Sequence, residues 1–223
     1  MSECGMPSAT LTINSRNYGA WSLRGWLICR FAGLEFEVDE RGADDPSQRD
    51  ELLLMSPSFL VPCLSIDGLE VWDTLAIAEF LAERFPESGL LPSDPADRAL
   101  CRSISGEIHS GFAALRSAMP MNVKARYEDF KVFSGAQADI DRITEVWRRC
   151  LGARPGPFLF GDRPTVADAM YAPVCSRFTT YGVELDATSA AYVATIMALP
   201  EMREWIAAAE AEPDEIIELD AEF

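Results

Sequence analysis

The stretch that most constrains this chain is Ser56 to Thr74, Ser-Pro-Ser-Phe-Leu-Val-Pro-Cys-Leu-Ser-Ile-Asp-Gly-Leu-Glu-Val-Trp-Asp-Thr. Asp67-Gly68 predicts a two-residue hairpin, because both central positions of that turn need positive φ. Pro62 stands where a strand opens, a position that tolerates a residue without an N–H. After the hairpin, Leu75, Ala78, Leu81 or Ala82, and Phe85 recur at helical spacing. Asp73 and Thr74 are residue types suited to the start of that helix. A helix start carries unpaired N–H groups and the positive end of the dipole, so it can receive a carboxylate. Just ahead of the hairpin, Val61-Pro62 can present free backbone groups to an extended peptide. Two complementary binding features therefore flank one hairpin.

The flanking sequence sets the hairpin in a recognisable order. Leu11–Asn14 reads as a short strand, Trp21 to Ala32 as a helix stopped by Gly33, and Glu35–Asp39 as an alternating strand. Arg41 to Gln48 is a polar loop and Arg49 to Met55 a short helix. With the hairpin and its helix the order becomes βαβ-α-ββ-α, a thioredoxin-like α/β arrangement over residues 9–86. A thioredoxin proper has Cys-x-x-Cys at the start of its first helix. Here that position reads Asn17-Tyr18-Gly19-Ala20-Trp21-Ser22, so disulfide exchange is excluded.

Residues 87–95, rich in Pro, Gly and Ser, form a linker. Everything from 96 to 223 reads as an all-helical second domain. Helices are predicted at Ala96 to Ala118, Ala136 to Leu151, Ser189 to Leu199 and Glu201 to Glu212. Thr165-Val166-Ala167-Asp168 is a capping box opening a further helix. On the first of these helices Arg102, Ser105, His109, Phe112 and Arg116 repeat at i+3 and i+4 and so share one face. Residues 1–8 and the acidic end from Glu212 read as loose.

Charge narrows the partners. The formal net charge of −17 argues against nucleic acid and anionic membranes. No run approaches the roughly 18 apolar residues of a membrane span, and the N-terminus lacks a signal pattern. Six scattered cysteines and one histidine give no metal-ligand spacing, which points to reduced thiols in a cytoplasm and no metal.

Val-Pro at a strand start, a hairpin, and an acidic-hydroxyl pair at a helix start resemble the glutathione-binding half of the glutathione transferases. The run Asn-Tyr-x-x-Trp-Ser-Leu-Arg resembles a bacterial serine-type branch of that family, related to the zeta and β-etherase-like members. The capping box, and the stretch Arg102 to Arg116 followed by Pro120-Met121-Asn122, extend the likeness to roughly residues 10 to 212. Relatives usually carry Ser-Ser where this chain has Gly19-Ala20.

The resemblance implies glutathione as co-substrate, a cis peptide bond before Pro62, and a homodimer. Val61 and Pro62 would pair with the cysteinyl part of glutathione, and Asp73 and Thr74 would hold its γ-glutamyl end. The thiol must then be activated by a donor in the first loop, with Asn17, Tyr18 and Ser15 as the catalytic candidates and Ser22 also within the loop. His109, Phe112 and Arg116 would line the pocket of the electrophile. The glycyl carboxylate would rely on Arg16, Arg41, Gln48 or Arg49. The implied activity is addition of the glutathione thiolate to a small hydrophobic or aromatic electrophile, in one version the sulfur-introducing step of tropone-type antibiotic biosynthesis. Glutathione-dependent ether cleavage, dehalogenation or isomerisation, and a non-catalytic binding protein on the same fold, are the alternatives.

Overall fold

The computed structural model describes residues 9–40, 61–127 and 129–212. The polar loop, the short helix after it, residues 1–8 and the acidic end beyond Glu212 lie outside these residues. Glu212 itself, read from sequence as the start of the loose end, is held by Ser15, Arg16, Asn17 and Lys124. A mixed four-stranded sheet comes first. Its strands are β1 (Ala9–Ile13), β2 (Glu37–Glu40), β3 (Cys63–Ile66) and β4 (Leu69–Val71), ordered β2-β1-β3-β4. β1 runs parallel to β2, with Leu11 facing Val38, and antiparallel to β3, with Leu11 facing Leu64. β3 and β4 form the hairpin, turning at Asp67 and Gly68 with φ of 51° and 79°. That is the primed turn the Asp-Gly pair predicts.

Helix α1 (Ala20–Phe31) joins β1 to β2, and α2 (Thr74–Arg84) follows the hairpin. α2 is capped by Asp73, whose Oδ1 accepts from Leu75 N at 2.9 Å and Ala76 N at 3.3 Å. A short 3₁₀ turn, Pro86–Ser88, leads into a helical region: α3 (Pro95–Ser110), α4 (Ala113–Ala118), α5 (Ser134–Ala153), α6 (Val166–Thr180), α7 (Ala187–Met197) and α8 (Pro200–Ala211).

The single long helix anticipated over 96–118 is two helices. The helix stops because Gly111 swings to extended backbone and Phe112 takes φ of 61°. Arg116 then folds back, and its guanidinium donates to the carbonyls of Ile108 and Gly111 that the break leaves open. The regular i, i+4 row from Arg102 to Arg116 is accordingly interrupted.

α6 is the central strut, packing on α1, α3 and α7. Its capping box is present, and buried Asp168 also accepts from Leu159 N at 3.1 Å and the Tyr192 hydroxyl at 2.9 Å. One continuous core joins sheet and helices. Trp26 of α1 meets Trp205 of α8 at 5.4 Å, and Trp147 meets Tyr171, Phe178 and Tyr192. Among the described residues no helix is long and apolar enough to cross a membrane.

Candidate active site

The hairpin register pairs Leu64 with Val71, so its open end brings the residues ahead of β3 beside those after β4. Pro62 and Asp73 stand at that end. The Val61-Pro62 bond is cis, as the resemblance implied, and so is Trp72-Asp73.

Pro62 is seated on α1 at Gly25. A Cβ at Gly25 would lie 2.6 and 2.7 Å from Pro62 Cβ and Cγ, far inside contact distance, so only glycine admits the proline there. One turn earlier on α1, Trp21 meets His109 of α3 edge-on, with ring centroids 4.8 Å apart. His109 Nε2 lies 3.2 Å from Asp73 Oδ2. The contacts therefore close a circuit: Pro62, Gly25, Trp21, His109, Asp73 and back through the hairpin. Burial pushes the His109 pKa down, outweighing the upward pull of Asp73, and Arg24 and Arg116 lower it further. The balance of these effects favours the neutral ring.

On and beside this circuit, and among the described residues, several polar groups are buried without hydrogen-bond partners: Thr74 Oγ1, His109 Nδ1, and both Nη atoms of Arg24. A buried polar atom left unpaired costs free energy, so such a concentration marks a place prepared for a ligand. Arg24 donates through Nε to Met170 O of α6 at 2.8 Å, and its guanidinium lies 4.5 Å from the Trp21 ring centroid. Arg116 lies 5.0 Å from the same centroid.

The first loop is held differently. Ser15 Oγ donates to Glu212 Oε2 at 2.9 Å, and Asn17 N donates to the same oxygen at 3.2 Å. Arg16 N donates to Glu212 Oε1. Lys124 Nζ secures the Glu212 carbonyl at 2.6 Å. Asn17 is buried, and its Oδ1 accepts from Lys124 N at 3.0 Å. Ser22 is spent on Asn14, at 2.6 Å from Asn14 Oδ1. Thus Ser15, Asn17 and Ser22 all brace the loop, while Tyr18 is buried beside them. Arg16 sits 3.3 Å from Glu40 and over Trp205.

Gly19 has a local cause as well. A Cβ there would lie 2.2 Å from Ser15 O and 2.2 Å from Asn14 Oδ1, so this fold of the loop admits no serine at that position. Phe112 is buried at the α3–α4 break, and Arg102 pairs with Glu79 at 2.7 Å. Arg41, Gln48 and Arg49 lie outside the described residues. Among the candidates, the structure joins Pro62, Asp73, Thr74 and His109 in one cluster, with Arg116 beside it. Ser15 and Asn17 form a second cluster centred on Glu212.

Fold and site together are those of a glutathione-binding transferase scaffold, and comparison with known proteins places the chain in that family. Residues 18–84 match the model of the glutathione S-transferase N-terminal domain, and 106–208 match that of its C-terminal domain. The chain belongs to the glutathione transferase family. Among curated relatives, the maleylacetoacetate isomerase of Rattus norvegicus is 32% identical over 76% of this chain and 78% of its own. That of Rhizobium meliloti is 33% identical over 61% of this chain and 66% of its own. A solved maleylacetoacetate isomerase from Anaeromyxobacter dehalogenans with glutathione in its active site is 25% identical. It aligns with a TM-score of 0.65 over 93% of this chain and 99% of that one. A glutathione transferase homologue from Burkholderia with bound glutathione gives 0.68 at 23% identity over 92% of this chain and all of that one, a likeness of fold.

Proposed function

We propose that this protein is a glutathione-dependent enzyme whose thiolate co-substrate adds to an electron-poor carbon held between the sheet and the helical region. The observation that carries the reading is Thr74. Its hydroxyl is fully buried at the start of α2, next to Asp73, and has no hydrogen-bond partner among the described residues. A γ-glutamyl carboxylate accepts from that hydroxyl, and Asp73 faces the adjoining ammonium. Val61 offers its backbone to the cysteinyl residue.

The thiol needs a donor and a positive field to ionise near neutrality. Arg24 and Arg116 supply the field on a protein whose net charge is −17. Tyr18, which places a phenolic hydroxyl in the loop entering α1, is our choice for the donor.

Chemistry starts with the sulfur lone pair forming a C–S bond while the π pair moves onto the electrophile as an enolate. Protonation of that enolate gives a stable thioether, which is the transferase outcome. Rotation about the carbon–carbon bond that addition has made single, followed by C–S cleavage as the enolate pair re-forms the double bond, returns the thiolate and an isomerised alkene. The second outcome is favoured by the relatives named maleylacetoacetate isomerase. A sulfur-introducing step on a reactive ring belongs to the transferase branch. Exposed Leu69 on the edge strand and Trp72 just after it, 52% and 48% accessible, support a homodimer. The scattered cysteines lead us to place the protein in the cytoplasm.

Trp21 and Trp72 flank the site, so millimolar glutathione should shift tryptophan fluorescence, and immobilised glutathione should retain the protein. A thiolate absorbance band at neutral pH in the complex separates an enzyme from a binding protein. Mass analysis of product, adduct or unchanged mass, separates transferase from isomerase. No shift and no retention would overturn the reading.

A further inference from the structure

His109 is the one histidine in the chain, and it stands where the helical region meets the hairpin and α2. Two polar contacts fasten α3 to this side. Arg102 donates from Nε and Nη2 to the two carboxylate oxygens of Glu79, at 2.8 and 2.7 Å. Toward the end of α3, His109 Nε2 lies 3.2 Å from Asp73 Oδ2, at the start of α2. Asp73 divides its carboxylate: Oδ1 caps α2 through Leu75 N and Ala76 N, and Oδ2 is turned to His109. The Asp73 and His109 side chains are 52% and 26% accessible, so a ligand can reach the oxygen at which they meet.

The charge around the ring is lopsided. Asp73 is the anion that faces it, Arg24 of α1 and Arg116 of α4 oppose a proton there, and Trp21 of α1 lies edge-on. A neutral ring that donates from Nε2 to Asp73 carries its lone pair on Nδ1, which is buried without a partner among the described residues. Protonation therefore creates a second N–H with no acceptor, near two cations, and Asp73 is the charge that offsets it. Whatever neutralises Asp73 expels that proton.

We propose that His109 is a proton-operated competitor for the amine of glutathione: as imidazolium it claims Asp73 Oδ2, and as imidazole it yields that oxygen to the ammonium. The inference rests on the glutathione reading, which sets the γ-glutamyl ammonium at Asp73. Two cations then meet one carboxylate oxygen, and like charges at that range disfavour each other. By linkage, glutathione binding releases a proton from His109, and protonation of His109 weakens glutathione by the same factor. A ligand that lowers a group's pKa binds best above the pKa of the free protein and loses affinity as the pH falls through it. For His109 that interval lies below the ordinary histidine value of about 6.5. Glutathione is constant there, since its carboxyls titrate near about 3.5 and its amine and thiol at about 8 or above. Glu40, raised by burial and by Glu212, and Asp168, raised by burial, belong to the first loop and the core, so the measurement has to be specific to His109.

As the sole histidine, His109 gives a single imidazole Cε1–H signal, and NMR follows its titration in the wild-type protein. Saturating glutathione should lower the midpoint by about 0.7, and the glutathione dissociation constant should rise toward a limit of about fivefold as the pH falls from about 7 to about 5. The desamino analogue glutaryl-cysteinylglycine has no ammonium and should not lower the midpoint. His109→Gln keeps a neutral donor but cannot titrate, so the ratio of its dissociation constants at the two pH values should approach one. A midpoint that glutathione leaves unmoved overturns the proposal, and needs no variant to fold. An equal drop with the desamino analogue also overturns it, because the linkage would then not pass through the amine. So does a pH ratio in His109→Gln equal to that of wild type. Glutathione that fails to bind at either pH refutes the glutathione reading instead.

Discussion

Replacing Gly25 by alanine tests how Pro62 is seated. In the middle of an exposed helix this change stabilises by about 1 kcal/mol, because alanine loses less backbone entropy. At Gly25 the new methyl would lie 2.6 Å from Pro62 Cβ and 2.7 Å from Cγ. Ordinary carbon contacts are about 3.5–4.0 Å, so proline or helix must withdraw by roughly 1 Å. The proline ring is rigid and Pro62 is followed directly by β3, so the strain falls on the Val61-Pro62 turn. Overpacking of this kind costs about 1–3 kcal/mol, which more than cancels the helical gain. The expected net effect on stability is small, from neutral to about 2 kcal/mol destabilising. On the proposed function the effect on ligand is larger, because Val61 moves away from the position in which it would pair with the cysteinyl residue of glutathione. Loss of one or two backbone hydrogen bonds at about 1 kcal/mol each predicts glutathione binding weaker by about 5- to 30-fold. Gly106→Ala on α3 is the control. A Cβ there meets nothing within 4 Å, so it should gain about 0.5–1 kcal/mol and leave binding alone. Urea melts and fluorescence titrations measure both quantities. If Gly25→Ala matched Gly106→Ala in stability and kept full affinity, the seating argument would be refuted.

Thr74→Val removes a hydroxyl that has no partner among the described residues, so stability should hold or rise while glutathione affinity falls about tenfold, read by calorimetry. Glu212→Gln weakens the acceptor shared by Ser15, Arg16 and Asn17, and should cost about 1–3 kcal/mol and speed hydrogen exchange at the Arg16 and Asn17 amides. Asp186 caps α7 through Thr188 and Ser189, and its pKa is lowered to about 2, first by the Ser189 hydroxyl and then, after its backbone N–H, by Arg148. Asp186→Ala should cost about 0.5–2 kcal/mol at pH 7. A depressed carboxyl stabilises the fold above its unfolded pKa of about 3.9, so wild type and variant should converge as the pH falls from about 4 through 2.

How far the sequence disclosed this structure depends on the range of the interaction. The hairpin, its turn and the Asp73 cap were all legible, because each is fixed by residues within a few positions of one another. So was the capping box at Thr165. The break after Ser110 was not, since it turns on Gly111 and on Arg116 reaching back to open carbonyls, and the apolar period alone runs straight through it. Gly25 carried a signal that helix periodicity hides: a glycine inside a helical pattern with no turn to explain it. The bracing of Ser15 and Asn17 could not be foreseen, because its acceptor lies almost two hundred residues away. Arg24 reads in sequence as an ordinary polar position on α1, and only the packing of α6 against it reveals an enclosed charge.

The Glu212 contact also bears on how the protein is made. Arg16 and Glu212 are separated by 196 positions, so the amino-terminal loop emerges from the ribosome long before its acceptor exists. At about 5–20 residues per second, that interval is on the order of 10–40 s. Once Val71 has been made the sheet has its strands, while the loop entering α1 still lacks the anion that gathers its amides. The first loop therefore reaches its finished form only after Glu212 has been made.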